Sequence, residues 1–111
     1  MWVGALRLEF FLSRTRSLKD KRQALQQIRD RVLSRYDVAV AEVGDPDDFR
    51  KLAMGFSAVG NDQGVVRSAL EAVASYVDSL YVAPIARQEI AVERFRPSSD
   101  AWIPDDIIVG D

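Results

Sequence analysis

The sequence predicts an α+β domain with the element order βαββαβ, and three observations carry that prediction. Residues 2–11 alternate between apolar and polar side chains, as a strand with one buried face does. Residues 17–36 and 61–80 instead carry apolar residues three, four or seven positions apart, which is helical spacing. Three further short, strand-like runs lie at 38–43, 52–59 and 89–95, bounded by turn-forming residues.

In the first run, Leu6, Leu8 and Phe10 fall on one side and Arg7 and Glu9 on the other. A half-buried strand is expected from Trp2 to Phe11. The helix expected from Ser17 to Tyr36 has the stripe Leu18, Leu25, Ile28, Val32 and Tyr36. Ser17 is a good N-cap, and Asp20 three positions on completes a capping-box-like signature. Val38 to Val43 reads as a second strand, Asp45-Pro46-Asp47-Asp48 as a turn, and Leu52 to Val59 as a third strand with Met54, Phe56 and Ala58 on one side. Asn61 or Asp62 caps a second helix whose stripe is Val66, Leu70, Val73, Val77 and Leu80. Pro84 breaks the chain, and Glu89 to Phe95 supplies a fourth strand with Ile90 and Val92 inward.

Right-handed crossovers fold this order most simply into two βαβ halves that make a four-stranded antiparallel sheet with both helices on one face. This is the ferredoxin-like arrangement, expected over residues 1–96. Residues 97–111 form an acidic tail in which Ile107-Ile108-Val109 is apolar and β-prone. Trp102 to Val109 is expected to pack as an extended segment on its own or a neighbouring chain.

Composition narrows the chemistry. At 111 residues and 48% hydrophobic content the chain suits one domain that buries roughly two-thirds of its unfolded surface. No apolar run reaches the about 20 residues of a membrane span, and MWVGALRLEFFL has neither the basic start nor the small-residue cleavage site of a secretory signal. A cytoplasmic location without membrane contact is the expectation. There is no cysteine and no histidine, which removes thiolate and imidazole nucleophiles, bases and metal ligands together. No cofactor, no metal and no small-molecule substrate is expected, and the protein is read as non-catalytic.

Charge is polarised along the chain. Residues 1–36 hold nine Lys/Arg against three Asp/Glu, while the remainder holds six against fourteen. Within the basic part, RTRSLKDKR places five cations at Arg14, Arg16, Lys19, Lys21 and Arg22, around a helix start whose dipole is already positive. Cations repel one another there unless an anion joins them.

The segments SLKDKR at Ser17 to Arg22, VAEV at Val40 to Val43 and GND at Gly60 to Asp62 resemble those of a known family. Over about residues 1–95 the chain resembles the YlxP-like proteins, a bacterial family classed as domain of unknown function 503. That resemblance implies a ferredoxin-like fold and genes often placed beside those of translation initiation and ribosome maturation factors; it implies no reaction. Relatives commonly carry a histidine and a tryptophan in the loop after the second strand, where this chain has Asp45 and Phe49.

Two roles compete for the basic cluster. In one, the first helical turn overhangs the sheet edge, so that Lys21 and Arg22 extend their heads to water and Arg29 pairs with a carboxylate. In the other, Arg14, Arg16, Ser17, Lys19, Lys21 and Arg22 surround the free N–H groups of the helix start and bind phosphate, as of ribosomal RNA or ribosomal particles. The open sheet face, expected to show Val3, Ala5, Arg7, Glu9, Phe11, Glu89 and Glu93, lacks the stacked central aromatics of an RNA-recognition motif. A homodimer through that face or an edge strand is expected instead, and the alternative function is a dimeric module whose basic end meets an acidic protein. Asp45, Asp47 and Asp48 lack the glycine and distal glutamate of a calcium loop and read as a solvated acidic turn. An acylphosphatase-like hydrolase, with Arg14 or Arg16 holding phosphate and Asn61 orienting water, is the remote alternative; the glycine-rich cradle is absent from FLSRTRS.

Overall fold

A computed structural model of the chain describes residues 1–98. The expected docking of Trp102 to Val109 lies outside them. The elements run β1 (Trp2–Phe11), α1 (Leu18–Leu33), β2 (Ala39–Glu42), β3 (Lys51–Gly60), α2 (Gln63–Ser79) and β4 (Ile85–Arg94). They form one sheet of order β2-β3-β1-β4, with every neighbouring pair antiparallel. β1 and β2 are therefore parallel with β3 between them, and β3 and β4 are parallel with β1 between them. Right-handed crossovers then put both helices on the same face, as the sequence predicts.

That face is the core. Leu6, Leu8 and Phe10 of β1 and Leu52, Met54 and Phe56 of β3 meet Ile28 and Val32 of α1 and Val66, Leu70, Val73 and Val77 of α2, all buried. At the far end of β1 the inward position is Gly4, where a Cβ would lie 2.6 Å from Val66 and 2.7 Å from Leu70. The bare backbone is what lets α2 lie down on the sheet there.

Two boundaries differ from those the periodicity suggests. α1 ends at Leu33 with Ser34 as its C-cap, and Tyr36 lies beyond the helix, its N–H on Val32 O at 2.8 Å. Tyr36 still packs against the core, its ring 5.5 Å from that of Tyr76, so the stripe is right while the helix is shorter. β4 begins at Ile85, four residues before the expected Glu89. Its first half, Ala86 to Glu89, is exposed on both faces and shows no alternation; pairing with β1, including a register shift at Glu9/Phe10, makes it a strand.

One backbone feature stands apart. Tyr81, just past the C-cap Leu80 of α2, has φ 54°. This left-handed conformation after a helix commonly takes glycine, and a side chain there costs about 1 kcal/mol.

Candidate nucleic-acid interface

β1 ends, α1 and β3 begin, and α2 ends, all at the same end of the sheet. The β1–α1 loop is pinned to the β2–β3 loop there: Leu12 N–H donates to Arg50 O at 2.7 Å, and Thr15 Oγ1 lies 2.6 Å from Phe49 O and 2.8 Å from Leu12 O. Such bonds hold a loop at fixed position on a scaffold.

The helix start is capped from both directions. Ser17 Oγ accepts the Asp20 N–H at 3.2 Å, and Asp20 Oδ2 accepts the Arg16 N–H at 3.0 Å. Ser17 is thus engaged as a cap, and Asp20 sets one negative charge among the cations.

Lys21 corrects the sequence expectation. It was expected to reach solvent or phosphate, yet it is 2% exposed, and its Nζ donates to Asp45 O and Asp48 O at 2.7 Å each and forms an ion pair with Glu42 Oε2 at 2.9 Å. Two donors of the ammonium are used in hydrogen bonds, and its charge is met by the Glu42 carboxylate. The cause is the helical wheel: Lys21 lies in line with Leu25, Ile28 and Val32, so its stem follows the core face while its head runs under the β2–β3 loop. The loop Asp45-Pro46-Asp47-Asp48 does enclose a cation, and that cation is the chain's own. Glu42 Oε2 is buried, and Lys21 is the group that neutralises it.

The remaining cluster residues behave differently. Arg14, Arg16, Lys19 and Arg22 are exposed, and among the described residues none lies within ion-pair distance of a carboxylate. Arg29, expected to pair, is likewise exposed without such a partner. Arg50 and Lys51 join the same end, because Leu12 bonds Arg50 and Phe11 lies opposite Lys51 in the β1–β3 register. Nothing in RTRSLKDKR signals these two, since only strand pairing brings them across.

The opposite sheet face is open. Its outward residues are Val3, Ala5, Arg7, Glu9 and Phe11 on β1, facing Glu93, Ala91, Glu89 and Arg87 on β4 and the outward residues of β3. Ala5, Ala39, Ala41, Gly55, Ser57 and Ala91 line a shallow trough of about 540 Å³. Arg7 pairs with Glu9 at 2.6 Å, and Arg87 pairs with Glu89. The Arg7 hydrogen bond holds the Glu9 carboxyl below the usual carboxylate range. Two ion pairs therefore lie within this face, while Glu93 makes none among the described residues.

The acylphosphatase-like pair is not assembled. Gly60 lies opposite Trp2 in the register, so Asn61 follows at the end of the sheet remote from Arg14, a ten-residue strand away. Asp62, not Asn61, caps α2, its Oδ1 accepting the Val65 N–H at 2.9 Å.

Known proteins match this chain in sequence. A family described as "protein of unknown function (DUF503)" matches residues 3–90, from β1 through the first six residues of β4. The chain belongs to the DUF503 family. It is 29% identical over 77 residues to the uncharacterized protein YlxP of Bacillus subtilis, covering 69% of this chain and 84% of that protein. Among solved structures, this DUF503 domain is similar to a putative antibiotic biosynthesis monooxygenase from Deinococcus radiodurans, with TM-score 0.49, 17% identity, and coverage of 92% and 99% of the two chains. A de novo designed protein with ferredoxin fold matches at TM-score 0.45 and 7% identity, covering 93% and 92%. The ferredoxin-like assignment for the DUF503 domain rests on its own strand order and crossovers. Within SLKDKR, Ser17, Asp20 and Lys21 have structural duties, which leaves Lys19 and Arg22 available to a partner.

No helix among the described residues is long and apolar enough to cross a membrane.

Proposed function

We propose that this DUF503 protein is a cytoplasmic, non-catalytic binding module that holds RNA phosphate at the basic end of its sheet, in the service of ribosome maturation or translation. The observation that supports it most is the set Arg14, Arg16, Lys19 and Arg22, four exposed cations at a helix start with no carboxylate partner among the described residues. The Thr15 and Leu12 bonds present two of them from a fixed loop, so little ordering is needed on binding. Service at the ribosome is what the resemblance to the YlxP-like proteins implies; the phosphate contact comes from the charges.

Single-stranded RNA tests it through salt. With four phosphates neutralised, the log–log slope of affinity against salt concentration should be about −2.8, at roughly −0.7 per contact. A flat response would remove the phosphate contact, and capture of ribosomal particles that survives nuclease would favour an acidic protein partner instead.

A second proposal concerns the open sheet face: a second copy of the chain covers it. Ala5, Ala39, Ala41, Gly55, Ser57 and Ala91 of the trough are small, and Arg7 and Arg87 are each paired with a carboxylate of the same face, so two such faces can approach with little repulsion. At micromolar concentration, light scattering should give twice the 12.4 kDa protomer mass. A protomer alone would refute self-association.

A further inference from the structure

We propose that the groove between the β1–α1 and α2–β4 loops takes one base of single-stranded RNA, stacked on Tyr81, with the adjoining phosphate at Arg14. This rests on the basic end being an RNA surface and names what that surface reads. The groove has a volume of about 560 Å³ and is lined by Phe11, Arg14, Thr15, Asp78, Tyr81 and Pro84 among others. That is within the usual size of a ligand site.

The exposed Tyr81 ring is the feature that nothing among the described residues accounts for. At 89% exposure it is the most exposed large hydrophobic side chain among the described residues, and its backbone sits where glycine is preferred. Among the described residues its ring has no aromatic partner and no cation over it. The left-handed backbone is unfavourable for folding and the exposed ring gains nothing from it, and such backbone outliers concentrate where a ligand is held. A base stacked on the ring offsets both, and every base has a face that stacks.

The groove's charges select among occupants. Arg14 on one wall attracts phosphate, while Asp78 and the carbonyl end of α2 on the other repel it. An acidic peptide would meet that negative wall. A nucleotide suits both walls: its phosphate lies at Arg14, and the amino group of cytosine or guanine donates to the Asp78 carboxylate.

Fluorescence anisotropy should compare a mixed-sequence single-stranded RNA octamer with an abasic octamer of equal phosphate number, on wild type, Tyr81→Gly and Tyr81→Phe. Wild type should prefer the base-bearing strand by roughly 5- to 150-fold. Tyr81→Gly should lose that preference while its melting temperature rises, because glycine accepts the left-handed backbone. Tyr81→Phe should keep it. Equal wild-type affinity for both octamers, or an unchanged preference in Tyr81→Gly, overturns the stacking site and leaves the phosphate surface standing. A Tyr81→Gly variant that melts lower and binds neither octamer makes Tyr81 structural and also overturns the site. Binding of neither octamer by wild type overturns both proposals.

Discussion

Lys21→Met is expected to destabilise the fold by about 3 kcal/mol, the low end for breaking a buried ion pair, and to lower the melting temperature by roughly 12 °C. Methionine fills the space of the stem but offers no donor, so Asp45 O, Asp48 O and Glu42 Oε2 lose a shared partner in one step. Glu42 is a quarter exposed, which lets water reach part of its carboxylate and holds the effect at the low end. Lys21→Met with Glu42→Gln should recover part of the loss, because the unpaired charge is gone while the carbonyls stay unpaired. Lys21→Arg should also destabilise, since a planar fork cannot reproduce two hydrogen bonds and a close ion pair made by one tetrahedral nitrogen. Urea and thermal denaturation measure all three. A Lys21→Met variant as stable as wild type would mean that the β2–β3 loop needs no internal cation.

Reversing Lys19 and Arg22 to glutamate should leave the melting temperature nearly unchanged and weaken binding of single-stranded RNA by about 25-fold at 0.1 M salt. That factor is the loss of two contacts, each contributing about 0.7 to the slope over the decade from 0.1 to 1 M. The slope itself should fall to about −1.4. Stability is spared because both heads are exposed and make no ion pair among the described residues. Reversal of Lys21 cannot serve this test, since the change would unfold the loop it supports. Unaltered affinity for ribosomal RNA in the double variant would remove the phosphate surface and leave the cluster a solvated helix end.

The strands and helices were legible because their signals are local. Alternation in Trp2–Phe11 states which side of β1 is buried, and the stripe Val66, Leu70, Val73, Val77 states the same for α2. β4 was half hidden, since Ala86 to Glu89 lie where no helix covers the sheet and pairing alone holds them extended. Of the candidate site, four cations stand where the sequence places them, at the exposed start of α1. Arg50 and Lys51 had no local signal, because they reach that end by the β1–β3 register. Tyr81 had none either: its exposure and its φ of 54° follow from where α2 stops and how the chain turns toward β4.

By itself the sequence determined the order of elements, the buried face of each, the helix cap at Ser17 and the gathering of charge in the first third of the chain. These depend on side-chain period and on contacts three or four residues apart. Only the tertiary structure decided what Lys21 is for. The wheel places it on the apolar stripe, which leaves a cation either stretched to water or paired inside, and the choice turns on acceptors 24 and 27 residues away. Because the β2–β3 loop folds two carbonyls over the start of α1 and Glu42 of β2 adds its carboxylate, the interior becomes the favourable place for that charge.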